Sequence, residues 1–283
     1  MRNFTLILTC PDKPGIVHDV TGAIVAVAGN IVESAQYGDT ETGRFSMRIN
    51  FEVSDDSISI DDLRKRFAEV ASRYNMHWSL SDDSVPPRVL ILTSRHLHCL
   101  VDLLYRVDSG ELRIEVPAVV SNHRDAYQLV ASHNIPFHHL PVTPDTRREQ
   151  EAALAEIIEK ERIDFVVLAR YMQILSEEFC DRFAGRVINI HHSFLPGFKG
   201  AKPYHQAHSR GVKLIGATAH YVTSDLDEGP IIEQDVARVT HAQTTGQLVE
   251  AGREVEQRVL AKAVKYQSEN RVIQIGAKTV VFA

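Results

Sequence analysis

Asn189, His191 and His192 close the apolar run "VINIHH" and are followed by "SFLPGFKG", which reads as a Gly-Phe-Lys-Gly turn after a proline. A strand gains nothing in folding from an amide and two imidazoles at its end. Those groups do serve a reaction, because they donate hydrogen bonds to developing negative charge and move protons. Side chains alternate along a strand, so Asn189 and His191 share one face and His192 takes the other. Further on, "YVTSDLDEGPIIEQD" places Asp225, Asp227 and Glu228 in a polar loop between two apolar segments. A carboxylate from that loop can return over the strand end. Amide, imidazole and carboxylate together can stabilise an oxyanion, shuttle a proton and direct a water. The spacing leaves a second reading open, in which Asp227 caps a turn.

Other chemistries find less support. His205 and His208 form an HxxH beside His191 and His192, but no cysteine or HExxH pattern completes a zinc set, so no metal is expected. Ser193 lacks a GxSxG elbow and reads as a turn hydroxyl. Cys180, in "SEEFCDRFAG", reads as the buried side of a short helix. The turn 93–98 in "VLILTSRHLHCLVDLL" has no glycine, and a phosphate cradle needs backbone N–H groups that side chains would shield. No nucleotide cofactor is expected.

Bulk properties narrow the class. At 283 residues the chain suits two domains or one large one, and 44% hydrophobic with 24% charged residues is ordinary for a soluble globular protein. The net charge is −6 without a basic tract, which argues against nucleic acid as a partner. Apolar runs such as "FVVLA" are far too short to span a bilayer, so no membrane partner is expected. "MRNFTLILTCPDKPG" reads as a buried strand, not a signal peptide. Three scattered cysteines without a CxxC pair fit a reduced, cytoplasmic protein.

Two rhythms organise the elements. Through residue 82 the order is βαββαβ: "FTLILT", then a helix running from Pro14 to a stop at Gly29, then "IVESAQYGD", "RFSMRINFEV", "SIDDLRKRFAEVASRY" and "MHWSLS". This is the ferredoxin-like arrangement. Residues 83–88 read as a linker. Over residues 89–283 apolar strands ("VLILT", "RIEVPAVVS", "IPFHHLPV", "IDFVVLAR", "VINIHH", "LIGATAHYV") alternate with helical patterns such as "EQEAALAEIIEKE". That rhythm predicts an α/β, mostly parallel, Rossmann-like sheet with its site at the strands' carboxyl ends.

"NIHHSFLPGFKG", "GATAHYVTSDLDEGPIIEQ" and "LARYMQILS" resemble the formyltransferase family, with its Asn-x-His pair and later Asp-x-Gly. "CPDKPGIVHDVTGAI" and "GNIVES" resemble an ACT regulatory domain. The combination implies hydrolysis of 10-formyltetrahydrofolate by water to formate and tetrahydrofolate, balancing the one-carbon pool for purine biosynthesis. Transfer of the formyl group to an amine is the alternative. Transferases acting on glycinamide ribonucleotide carry a glycine-rich turn where this chain has "SRHLH", so its acceptor site looks filled. The resemblance implies that Asn189 donates to the formyl oxygen. His191, charged beside Asp227, stabilises the oxyanion and helps to protonate N10, while Asp227 orients and deprotonates the water. Arg170, Met172, Gln173, Leu175, Val222 and Asp225 would hold the folate, which is the substrate, not a cofactor. Asp12, Pro14, Gly15, Asn30 and Ile31 would hold an amino-acid effector such as methionine or glycine. Free N–H groups at the helix start would meet its carboxylate. Unpaired sheet edges, together with the resemblance, imply a homo-oligomer formed through the ACT unit.

Overall fold

The computed structural model describes residues 1–55, 57–197 and 203–283, so most of the Gly-Phe-Lys-Gly turn lies outside the described residues. The chain divides into two compact units, residues 1–86 with 269–275 and 279–283, and residues 87–268 with 276–278.

In the first unit β1 (Arg2–Pro11), α1 (Ile16–Val25), β2 (Gly29–Asp39), β3 (Arg44–Val53), α2 (Ile60–Tyr74) and β4 (His77–Asp82) follow the expected order. The sheet runs β2-β3-β1-β4, with every neighbour antiparallel. Phe4, Leu6 and Leu8 alternate along β1 and bury one face against Ile16, Val20 and Ile24 of α1 and Leu63 and Phe67 of α2. Ser59 starts α2 through a capping box with Asp62. The first helix is shorter than expected. It stops at Val25, and Ala28, not Gly29, takes the left-handed turn with φ 53°. Gly29 already belongs to β2, where a Cβ would come within 2.7 Å of Ile24 Cγ2.

The unit also claims the chain's end, which corrects the expected boundary at 283. The buried guanidinium of Arg48 donates to the carbonyl of Glu269 at 3.2 Å and to Glu33 at 2.6 Å. β12 (Val272–Ile275) packs beside β1 and pairs with β13 (Lys278–Val281). A buried cation needs such partners, and one of these two comes from the far terminus.

The second unit holds β5 (Arg88–Thr93), α3 (His98–Asp108), β6 (Glu115–Ser121), α4 (Tyr127–Ser132), β7 (Phe137–His139), α5 (Arg147–Lys160), β8 (Phe165–Ala169), α6 (Glu177–Arg182), β9 (Val187–His191), α7 (Pro203–Ser209), β10 (Leu214–Tyr221), β11 (Ile231–Arg238) and α8 (Thr245–Ser268). Its sheet order is β11-β10-β9-β8-β5-β6-β7. The five strands from β9 to β7 are parallel, whereas β10 runs antiparallel to both its neighbours. Every residue of β8 is buried, as expected of a strand covered on both faces. Strand order reverses between β5 and β8, and a sheet of this kind opens its crevice at such a reversal. The turns after β5, β8 and β9 all meet there.

Candidate active site

β9 delivers Asn189 and His191 to one cavity, as alternation requires. β10 lies antiparallel beside it, with His220 opposite Asn189 and Thr218 opposite His191. His220 Nδ1 lies 2.9 Å from the Tyr221 carbonyl, an acceptor only, so Nδ1 carries the proton. The lone pair on Nε2 then accepts from the Asn189 amide nitrogen at 3.3 Å. That contact orients the Asn189 NH2 and leaves its second N–H to donate elsewhere.

His191 Nδ1 donates to Asp227 Oδ1 at 3.1 Å, while His191 Nε2 is buried without a partner among the described residues. Asp227 has φ 58°, in the left-handed region that a non-glycine residue rarely adopts. Two residues later the chain presses against β10 so closely that a Cβ on Gly229 would sit 1.7 Å from the Tyr221 carbonyl oxygen. Glycine at this position lets the loop fold back far enough for Asp227 to reach His191.

The cavity has a volume of about 630 Å3. All six residues expected to hold folate border it: Arg170, Met172, Gln173, Leu175, Val222 and Asp225. The loop after β8 is tied down along its length. Ser94 Oγ accepts from the Met172 N–H at 3.1 Å, Gln150 donates to the Tyr171 hydroxyl at 2.9 Å, and Glu151 accepts from the Ser176 N–H at 2.8 Å. Arg170 opens the loop in a left-handed conformation, φ 63°.

Several residues had escaped the sequence reading. His192 was expected on the face away from His191, yet both line the cavity with ring centroids 5.1 Å apart. β9 ends at His191, so the alternation stops before His192. His220 looked like one more strand residue, and only the register with β9 reveals its partner. Glu256, in mid-helix, was not singled out. It is 1% exposed and accepts from Tyr204 at 2.6 Å and His98 at 2.8 Å. Ser193 turns inward to the Gly197 carbonyl at 2.7 Å, and Cys180 is buried in the core.

For a metal, the four suspected histidines do not gather. His205 lines the cavity, but His208 is exposed and outside it. Among the described residues His98, Cys99 and Glu256 do converge. Both Glu256 oxygens are already engaged, and burial pushes the Cys99 thiol well above its usual range, which leaves it a poor ligand.

In the first unit the expected effector set separates. Asp12, Pro14 and Gly15 sit together beside the Asp39–Arg44 end of the sheet, with Gly15 capping α1 at φ 94°. Asn30 and Ile31 pair with Glu52 and Phe51 at the opposite end. α1 carries the chain from one end to the other, a rise of about 15 Å over ten residues.

Residues 87–264 match the formyl transferase family model. A Corynebacterium sp. (strain P-1) protein named formyltetrahydrofolate deformylase is 50% identical over 276 residues, 98% of this chain and 96% of its own. The crystal structure of a formyltetrahydrofolate deformylase from Burkholderia mallei superposes with TM-score 0.96 at 49% identity, with both chains fully covered. The chain belongs to the formyltetrahydrofolate deformylase family. A more distant fold relative, glycinamide ribonucleotide transformylase 1 from Symbiobacterium toebii, matches 70% of this chain and 95% of its own at 30% identity, TM-score 0.65.

Electrostatics divide the labour in this deformylase site. Burial alone would raise Asp227. The hydrogen bond from His191 and the nearby imidazoles outweigh it and hold the carboxyl below its usual range. Burial, with Arg170 and His191 nearby, drives His192 down to about 4. Burial also lowers His220, which agrees with the neutral tautomer deduced from its hydrogen bonds.

Two outcomes are expected. Gly229→Ala forces the loop off Tyr221 and draws Asp227 from His191; turnover should fall by about 10²-fold, as measured by steady-state kinetics. For His192 the folded pKa lies below the usual 6.5, so the unfolded chain takes up a proton that the folded chain refuses. Stability should therefore drop as pH falls from 6.5 toward 4, by at most about 1.4 kcal/mol per unit from this residue. Urea unfolding across that window should show a shallower slope in His192→Gln.

Proposed function

We propose that this chain hydrolyses 10-formyltetrahydrofolate to formate and tetrahydrofolate. The observation that carries the reading is the His191–Asp227 pair beside an amide-oriented Asn189, on the cavity bordered by both candidate folate loops. Half-identity to deformylases along nearly the whole chain supports it.

The geometry supports the following chemistry. The pterin and its benzoyl arm lie against residues 170–175 and 222–225, which bring the N10-formyl group to Asn189 and His191. The free N–H of Asn189 donates to the formyl oxygen. With His191 as imidazolium, Nδ1–H stays on Asp227 and Nε2–H turns to the same oxygen or to N10. This gives the otherwise unpartnered Nε2 its use. Water attacks the formyl carbon beside Asp227. A carboxylate with a lowered pKa is a weak base, so it orients the water first and takes the proton only as the new C–O bond acidifies it. That proton reaches N10, the C–N10 bond breaks, and formate and tetrahydrofolate leave. Loss of one oxyanion donor costs about 10²–10³ in rate. No cofactor enters this route.

The βαββαβ order and four-stranded antiparallel sheet of the first unit support an ACT domain. Its N–H groups at Gly15 and Ile16, with Asp12 beside them, suit an amino acid's carboxylate and ammonium. Assembly into a homo-oligomer would cover the open edge of β2. A cytoplasmic setting and a part in supplying formate for purine biosynthesis fit the same reading. Among the described residues no helix is long and apolar enough to cross a membrane.

Incubation with 10-formyltetrahydrofolate and no amine should release formate and tetrahydrofolate one for one; absence of formate would refute the reading. Asp227→Asn should lower turnover by about 10²–10⁴-fold while folate binding survives. Asp225→Asn, exposed on the same loop, should do far less. Equal losses would mean that the carboxylate is misassigned.

A further inference from the structure

Glycine inside a helix costs roughly 1 kcal/mol against alanine, and Gly252 lies well inside the 24-residue α8. Its use is visible in what rests on it. A Cβ there would come within 2.2 Å of the Tyr204 ring carbon Cζ. Tyr204 is therefore seated in a notch cut into α8, and its hydroxyl reaches one turn along the same face to Glu256 at 2.6 Å. His98 closes on the other oxygen of Glu256 at 2.8 Å, and Gln257 of α8 donates to the His98 carbonyl at 3.0 Å. Arg170 adds its charge at 3.4 Å. The ring also borders the reacting end. His191 and His192 stack edge to face at 5.1 Å, and His192 and Tyr204 at 6.2 Å.

We infer that Tyr204, seated on Gly252 and anchored by Glu256 and His98, is the specificity-determining residue that denies an amine acceptor its place beside His191 and leaves water to take the formyl group. This rests on the hydrolysis reading above. A carboxylate as buried as Glu256 needs donors, and in this chain a tyrosine and a histidine from the protein supply them. Without Tyr204 the Glu256 oxygen that it holds is open to the N–H of an incoming amine. The same carboxylate that now anchors the plug would then orient a second substrate. The fold tolerates that use, since a transformylase named for glycinamide ribonucleotide shares it. In the opened pocket an amine nitrogen attacks the formyl carbon. The C–N10 bond breaks, and the proton lost by the amine passes to N10. Nothing else is consumed.

The test is a partition measurement on the full chain. Wild type, Tyr204→Ala and Tyr204→Phe are each given 10-formyltetrahydrofolate with excess glycinamide, and formylglycinamide and formate are quantified. Once an enzyme-free control is subtracted from both products, their ratio does not depend on how much of a variant is folded. Wild type should give formate with formylglycinamide at the non-enzymatic level. Tyr204→Ala should raise the ratio at least ~10-fold, and Tyr204→Phe, which keeps the ring, should not. If Tyr204→Ala does not accumulate, His98→Ala opens the same wall and should raise the ratio too. An unchanged ratio in the opened variant overturns the inference, as does an equal rise in Tyr204→Phe. Wild type that releases no formate would defeat the hydrolysis reading instead, so the two failures are distinguishable.

Discussion

Taking a carboxylate out of water costs several kcal/mol unless a partner restores what the solvent supplied. Asp227 pays that cost beside His191, at 3.1 Å, and much of the surrounding architecture serves to make the contact possible. β10 must run antiparallel to β9, so that the loop after it can double back. Gly229 must be glycine, because the returning chain touches the Tyr221 carbonyl. Asp227 must hold a left-handed φ at the loop's tightest point. Each of these is unfavourable or restrictive alone. A well-packed sheet beneath supplies the stability that lets them persist together.

The cavity holds a second buried carboxylate, and the two are satisfied in contrasting ways. Asp227 is engaged by an imidazole of the cavity wall whose other nitrogen has no partner among the described residues, so the pair remains available to a reaction. Glu256 is closed by Tyr204 and His98 and has Arg170 alongside, so it serves the wall. Arg170 shares with Asp227 a left-handed backbone at the start of a cavity loop. Strain thus collects where chain segments must turn sharply toward the substrate's space and not in the strands that carry them.

What could be read from the sequence follows from how far each feature reaches along the chain. Strand alternation and helical spacing are local, so Asn189 and His191 on one face were legible, as were Arg44–Val53 and the amphipathic α2. The polar loop carrying Asp227 was legible as a loop, and the family resemblance assigned its carboxylate. Contacts across the fold were not. Asn189 meets His220 through strand register, and Glu256 meets His98 from the opposite end of the second unit. Gly252 looks like a weak point in a helix until Tyr204 is seen lying on it. Residues 269–275 and 279–283 carry no local sign that their partners lie in the first unit. Asn30 was placed beside Asp12 by its motif, and the helix between them carries it to the far end of the sheet.

The adjacent histidines illustrate how burial assigns roles that sequence cannot. His191 and His192 are chemically identical, and their rings lie 5.1 Å apart. Two imidazolium charges at that distance in a low-dielectric wall would oppose each other by several kcal/mol, so a site built on both being charged would not hold together. His191 has Asp227, to which its Nδ1 donates. His192 lacks such a carboxylate at hydrogen-bonding distance, is desolvated, and faces Arg170, so it stays neutral down to about pH 4. The pair is thereby split into a donor held by Asp227 and a neutral spacer that passes the wall on to Tyr204. Pairs of titratable groups driven apart by their surroundings are how one fold assigns acid, base and scaffold. Here the division turns on where β9 ends: one residue later the alternation would have sent His192 to the other face, and His191 would have lost its neutral neighbour.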